Sequence, residues 1–379
     1  MKFNSLESLR GIAAVLVALF HSGFVVTEKY PLIAQGDIFV DFFFVLSGFV
    51  MAFAYIGKIQ QGLSIKKFTL LRFGRLYPLH LFILLVWLPY ILVKAYAFHK
   101  LGMGSSDPFT VNSLPTFLSN LVLINALGIH DSLNWNYPAW SISLEFFTYL
   151  IFFTFIASLK SAYRPVYALM LSITAYTLLT VFSEDTLLRT FDIGILRCIG
   201  GFFFGVFIYS LSQRRHFVPS VALATVIELL VVAAMLALVV NTKDSKSIQL
   251  AAFLSFGVVI YLFSVQEAGL ISRLLNTKPL LFVGGLSYSI YMVHAIVFAA
   301  LGVAWQYVLK MPVETIESTG GPVKVYMTNY ADIINVVAML SIILISYFTY
   351  NWIEKPWRDK FRQLANSARF DSKGDEVKS

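Results

Sequence analysis

The sequence predicts an all-α polytopic membrane protein with about ten transmembrane helices and both termini in the cytoplasm. Composition, the spacing of apolar runs and the placing of loop charges each point there. Hydrophobic residues make up 58% and charged residues only 13%, where a soluble domain carries about a quarter charged. Mean hydropathy is +0.74. A chain of 379 residues has too few charges to coat a water-facing surface, so the lipid bilayer is the expected surrounding. The net charge of +8 would point to nucleic acid in a soluble protein. Here the basic residues sit in short loops between apolar runs, so topology explains them and no nucleic-acid partner is implied.

A span needs about 20 mostly apolar residues. Such runs fall near 9–27, 37–57, 76–98, 139–159, 163–182, 191–211, 219–240, 248–265, 280–308 and 331–353. The first has no small-residue cleavage site after it and is expected to be retained. Segment 114–127 is apolar but short, and Pro115 flanks it. It is expected to be a surface or re-entrant helix, with an eleventh crossing as the alternative. Cys198 alone cannot form an internal disulfide and is expected to pack in an apolar run. One transmembrane domain over 1–358 is expected, with a disordered cytoplasmic tail over 359–379.

Loop charges test the span count. Lys58, Lys66, Lys67, Arg72 and Arg75, then Lys160 and Arg164, Arg214 and Arg215, Arg273 and Lys278, and finally Lys355, Arg358, Lys360 and Arg362 fall on one side if spans alternate. Glu28, Asp107, Asp131, Glu184, Asp185, Asp244, Glu314 and Glu317 fall on the other. The positive-inside rule then places both termini in the cytoplasm.

Ionisable groups inside a span are costly and by default mark function. His21, Asp41, Glu145 and His294 fall at one depth on this topology, roughly 6–9 Å below the outer boundary at 1.5 Å per residue. Two imidazoles and two carboxylates in one layer fit a proton-handling site; hydrogen-bonded packing is the alternative for each alone. On the cytoplasmic side Arg10 opens the first span, and Arg72 and Arg75 open the third. Eleven residues separate Arg10 from His21, about 1100° of helix rotation, so both share one face about 16 Å apart. Arg72 and Arg75, three apart, also share a face. Guanidinium groups match phosphate in a fork geometry.

These residues carry a resemblance. The chain resembles the integral-membrane acyltransferase family 3, which contains O-antigen and exopolysaccharide O-acetyltransferases. The motifs run in order: SLRGIAAVLVALFHSG with Arg10 and His21, VDFFFVLSGF over Val40 to Phe49, LRFGRLYPLH with Arg72, Arg75 and Pro78, PAWSISLEFFTY with Trp140, Ser143 and Glu145, GGLSYSIYMVH with Ser287, Tyr288, Tyr291 and His294, and IEKPWR with Glu354, Pro356 and Arg358. They cover almost the whole chain. The C-terminal hydrolase-like domain of many bacterial members is missing from it, which implies a stand-alone transferase.

The resemblance implies transfer of an acyl group, expected to be acetyl, from cytoplasmic acyl-CoA to a hydroxyl of a carbohydrate or glycolipid acceptor at the outer face of a bacterial inner membrane. Acyl-CoA is a donor substrate; no permanently bound cofactor and no metal are implied. Arg72 and Arg75, with Arg10, would face the CoA phosphates. His21 suits a general base or an acyl carrier, and Glu145 would orient its ring. Ser47 and Gly48 fit a thin pantetheine channel, with helix packing as the alternative for the glycine. Asp41, Trp140, Ser143, Tyr288, Tyr291 and His294 fall on the acceptor or oxyanion side. Trp135, Tyr137 and Trp140 form either an aromatic belt at the boundary or a sugar-stacking surface. The competing function is a proton-coupled transporter or flippase, because buried His and acidic residues also build proton relays. No internal repeat of the transporter kind is apparent.

Overall fold

A computed structural model describes residues 3–24, 29–104, 106–213, 219–243, 245–318, 321–326 and 328–367. Arg214, Arg215, Glu28, Asp244 and the last stretch of the expected tail, 368–379, lie outside the described residues.

In chain order the helices are α1 (Asn4–Phe20), α2 (Pro31–Ala34), α3 (Phe39–Gln60), α4 (Ile65–Leu101), α5 (Leu114–Leu121), α6 (Trp140–Ser158), α7 (Arg164–Phe182), α8 (Gly194–Ser212), α9 (Val221–Val240), α10 (Lys246–Val265), α11 (Leu270–Leu275), α12 (Lys278–Gly285), α13 (Ser287–Val303), α14 (Ala331–Thr349) and α15 (Lys355–Ser367). Between α13 and α14 lie strands β1 (Val313–Ser318) and β2 (Gly321–Tyr326). Among the described residues nine helices are long and apolar enough to cross a membrane, and they coincide with nine of the ten expected runs. The remaining run is α1, whose 17 residues span about 26 Å at 1.5 Å each. The eight residues of α5 reach only about 12 Å, too short to cross.

The chain divides into two compact units. The first comprises Met1–Phe43, Asp185–Leu188 and Arg214–Phe348. Within it α1 packs along α12 and α13, burying Ala13, Ala14, Val17 and Ala18. This helix starts five residues earlier than expected and stops at Phe20. The N–H groups of His21 and Ser22 turn back to the carbonyls of Ala18 and Leu19, and Gly23 follows at φ +68°, a left-handed conformation that glycine adopts without steric cost. His21 therefore closes the helix instead of lying some six residues inside it.

The β1–β2 hairpin is the departure from an all-helical unit. Its strands pair antiparallel from Val313 opposite Tyr326 to Ser318 opposite Gly321. Val313, Thr315, Ile316, Val323 and Val325 supply the β-branched residues that suit extended backbone. The Tyr326 N–H donates to the Gly23 carbonyl at 3.0 Å. Its ring stacks on Phe24 at 4.5 Å, and Phe24 meets Trp305 edge-on at 5.3 Å. The hairpin thus holds the segment that follows His21.

The second unit comprises Phe44–Glu184, Arg189–Gln213 and Thr349–Ser379. Its longest element, α4, has 37 residues with Pro78 and Pro89 inside. It starts where the Ser64 side chain accepts from the Lys67 N–H, so Lys66, Lys67, Arg72 and Arg75 are helical, where Lys66 and Lys67 were expected in a loop. The first part of the stretch expected as a tail, 359–367, is helical. A π-helical turn over Tyr350–Glu354 precedes α15, which stays helical to Ser367. The Phe361 ring packs against Phe73 at 5.8 Å and Ala365 is buried, which gives this polar stretch a reason to remain folded.

Candidate functional site

In the first unit the site is built on the ends of α1 and α13. The Arg10 guanidinium donates from Nε to Ser287 Oγ at 2.8 Å and from Nη2 to the Gly284 carbonyl at 3.2 Å. Three turns on, the half-buried His21 ring has Nδ1 2.9 Å from the Val17 carbonyl and 3.2 Å from His294 Nε2. His294 is fully buried, with Nδ1 3.3 Å from the Ile290 carbonyl.

Proton bookkeeping sets the tautomers. A carbonyl only accepts, so each Nδ1 carries hydrogen toward its own helix carbonyl. His294 Nε2 is then a lone-pair nitrogen that shares the His21 Nδ1–H. His21 in its neutral form keeps its own lone pair on Nε2, the nitrogen a general base needs.

Tyr291 lies edge-on to His294 at 5.8 Å and to Phe43 at the same separation. Tyr288 is buried on the same helix. Asp41 is 3% exposed in the first turn of α3, where a carboxylate favours the positive end of the helix. The first unit therefore brings together Arg10, His21, His294 and Tyr291 from distant stretches of sequence.

In the second unit Glu145 on α6 accepts from the Ser47 hydroxyl and from Tyr149 Oη at 2.6 Å, and Ser47 and Tyr149 are 3.2 Å apart. The Arg72 guanidinium donates to Tyr55 Oη and toward the Met51 sulfur at 3.4 Å. It lies 4.7 Å from the Tyr55 ring centre and 5.9 Å from that of Tyr149. Its buried Nε has no protein acceptor. Arg75 points elsewhere. It forms an ion pair with Glu354, 2% exposed, which Arg358 approaches at 3.7 Å.

Three of the expected site residues pack closely against their neighbours. A Cβ on Gly48 would come 1.8 Å from the Phe202 carbonyl oxygen, so this glycine permits the close crossing of α3 and α8, the packing alternative weighed for it. Ser143, expected on the acceptor side, gives its hydroxyl to the Leu123 carbonyl. Trp140, expected on the acceptor or oxyanion side or in a boundary belt, is 6% exposed, with the Arg197 guanidinium 5.5 Å from its ring and Phe44 packed edge-on. Trp135 is buried as well.

The sequence reading missed Tyr149, Tyr55 and the role of Glu354. Tyr149 was within reach: it stands four residues after Glu145, on the same helix face. Tyr55 and Glu354 meet their arginines only through tertiary packing.

A family model described as an acyltransferase domain matches residues 3–350. The chain is 32% identical over 158 residues to protein 2 in the picA locus of Rhizobium radiobacter, covering 38% of this chain and 77% of that protein. It is 24% identical over 378 residues to O-acetyltransferase OatA of Staphylococcus aureus, covering 94% and 57%. Against peptidoglycan O-acetyltransferase OatA of Listeria monocytogenes the identity is 25% over 320 residues, covering 76% and 48%. The chain thus spans about half the length of the two O-acetyltransferases. No solved structure matches it. The family match runs through α1, with Arg10 and His21, to the π-helical turn before α15, and on that extent this multi-pass chain belongs to the acyltransferase-domain family.

Proposed function

We propose that the chain is a membrane O-acyltransferase, moving an acyl group, acetyl by analogy with its relatives, from cytoplasmic acyl-CoA to a hydroxyl of a carbohydrate or glycolipid at the outer face of a bacterial inner membrane. One observation carries the reading: the His21 imidazole, tied through Nδ1 to Val17 and His294, leaves Nε2 as its basic nitrogen on the helix face that also bears Arg10.

In direct transfer His21 Nε2 removes the acceptor hydroxyl proton as that oxygen attacks the thioester carbonyl carbon. The tetrahedral adduct collapses, the C–S bond breaks, and the imidazolium returns the proton to the CoA thiolate. Ester and CoA thiol leave with no net proton change. In the two-step alternative Nε2 attacks the thioester carbonyl carbon and the C–S bond breaks, releasing CoA thiolate; the acceptor oxygen then attacks the acylimidazolium, the N–acyl bond breaks to restore His21, and the hydroxyl proton goes to the thiolate. Either way an imidazolium or acylimidazolium forms, and the hydrogen bond from Nδ1 to Val17 stabilises it.

In the second unit Arg72 is the donor-side cation. Its Nε hydrogen has no protein acceptor, which suits a phosphate better than Arg75, already paired with a carboxylate. Glu145, held by Ser47 and Tyr149, is the second proposed catalytic group. The test is purified protein in detergent with radiolabelled acetyl-CoA. Wild type is expected to release CoA slowly without acceptor, and His21→Ala is expected to release none above background. A silent wild type would reject the reading.

A further inference from the structure

The stretch after α5 is where the second unit departs most from regular helix. Residues 122–136 form turns and bends, yet Leu123, Asn125, Ala126, Asn134 and Trp135 are all buried. Irregular backbone in a membrane protein persists where protein buries it or where it lines a cavity. Two residues here, Leu123 at φ +58° and Trp135 at φ +49°, adopt left-handed backbone. Such conformations cost of the order of 1–3 kcal/mol each and cluster at functional sites.

The hydrogen bonding of this segment is lopsided. Asn120 donates its amide to the Thr116 carbonyl at 2.8 Å and to Asn134 Oδ1 at 2.6 Å. Both partners are acceptors, which fixes its Oδ1 as the unpaired atom. The fully buried His80 on α4 stands 2.9 Å from the Asn120 carbonyl through Nε2. That nitrogen must carry the hydrogen, so Nδ1 is a lone pair, and it too has no partner. Asn125 Oδ1 is a third buried acceptor without a donor. Each such atom costs about 1–3 kcal/mol, and buried polar groups are otherwise paired in more than about nine cases of ten. Three acceptors lacking donors, on one buried segment and the helix it packs against, ask for a ligand rich in O–H donors.

We propose that the segment from Asn120 to Trp135, with His80, is the acceptor subsite of the second unit and binds a neutral, polyhydroxylated carbohydrate through hydroxyls that donate to Asn120 Oδ1, Asn125 Oδ1 and His80 Nδ1. This rests on the acyltransferase reading and adds the recognition chemistry to it. The segment's carboxylate, Asp131, is exposed, while the three buried acceptors are amide oxygens and an imidazole lone pair, which matches a neutral ligand.

The experiment separates donor chemistry from acceptor recognition. Asn125→Ala removes an unpaired acceptor and breaks no hydrogen bond made by Oδ1. It is expressed beside wild type in a strain deleted for the chromosomal copy, and the O-acetyl content of surface carbohydrate is read by NMR. Acceptor-independent CoA release from acetyl-CoA is measured on both purified proteins. The expected result is O-acetyl content down by about fivefold or more, the effect of about 1 kcal/mol or more, with CoA release unchanged. Unchanged O-acetyl content overturns the subsite, and so does a parallel fall in both readouts, which would make the segment structural. A wild type that neither releases CoA nor restores O-acetyl groups overturns the acyltransferase reading beneath it.

Discussion

His21 Nδ1 and His294 Nε2 lie 3.2 Å apart, with the Val17 carbonyl 2.9 Å from the same Nδ1. One hydrogen on His21 Nδ1 satisfies both neighbours, so the pair fixes the tautomer and a neutral His21 keeps its lone pair on Nε2, the nitrogen proposed to react. His21→Ala is expected to lower acyl transfer by about 10²–10⁴-fold, the usual cost of losing a general base, while acyl-CoA still binds. His294→Ala is expected to cost less, about five- to tenfold in kcat with donor KM unmoved, because it removes one hydrogen bond of about 1 kcal/mol. Steady-state kinetics on the two purified variants checks the order. A His21→Ala enzyme near wild-type rate would return both imidazoles to a packing role.

Glu145 and Tyr149 give a second ranking. Glu145→Gln retains a carbonyl oxygen for Ser47 and Tyr149 but loses the charge, so kcat is expected to fall well short of the His21→Ala loss. Tyr149→Phe keeps the ring beside Arg72 and removes the hydroxyl that donates to Glu145. A charge-assisted hydrogen bond is worth about 1.5–3 kcal/mol, which sets the expected loss at roughly 10- to 150-fold. Measured kcat values that leave Tyr149→Phe untouched would mean Glu145 needs no positioning by that hydroxyl.

Long apolar runs made the helices legible, because about 20 such residues in succession suit little besides a bilayer crossing. The Arg10–His21 relation was legible too, since an integral number of turns depends only on helix geometry. The end of α1 was not: the apolar FVV after Gly23 continues the run in composition, while the chain turns at His21 through backbone hydrogen bonds. The hairpin was hidden because two six-residue strands inside a connection leave little periodicity. Glu228, not singled out from the sequence, makes a further point. An acid in the middle of an apolar run reads as functional, yet here it is fully buried and accepts from the Gln266 amide and the N–H groups of Gly269 and Ser272 at 3.0–3.2 Å. Partners some forty residues away cannot be seen in the run itself.

Topology is tested with reporter fusions. Fusions after Gly57, Ser212 and Trp357 are expected to report cytoplasm, and fusions within 28–36 and 312–328 the outside, because the positive-inside rule places the basic loops together. A C-terminus reported outside would mean that one crossing had been miscounted.

The two α4 arginines are expected to fail differently. Arg72 bonds a neutral hydroxyl and leaves no buried charge behind when removed, so Arg72→Ala is expected to lower Tm less than Arg75→Ala and to raise KM for acyl-CoA by roughly 10- to 150-fold, from a lost phosphate contact of about 1.5–3 kcal/mol. Arg75 neutralises Glu354, which is 2% exposed. Removing one partner of a buried ion pair strands the other at a cost of about 3–5 kcal/mol. Arg358 at 3.7 Å takes up part of that charge, so Arg75→Ala is expected toward the lower end, read as a clear fall in Tm. Glu354→Gln in the same chain removes the stranded charge and is expected to recover most of it. Lys66→Ala is expected to change neither Tm nor KM appreciably. Melting curves and donor kinetics on the four proteins decide the matter: if Arg72→Ala, Arg75→Ala and Lys66→Ala behave alike in both, the arginines mark topology only, and the donor-side role of Arg72 is lost with them.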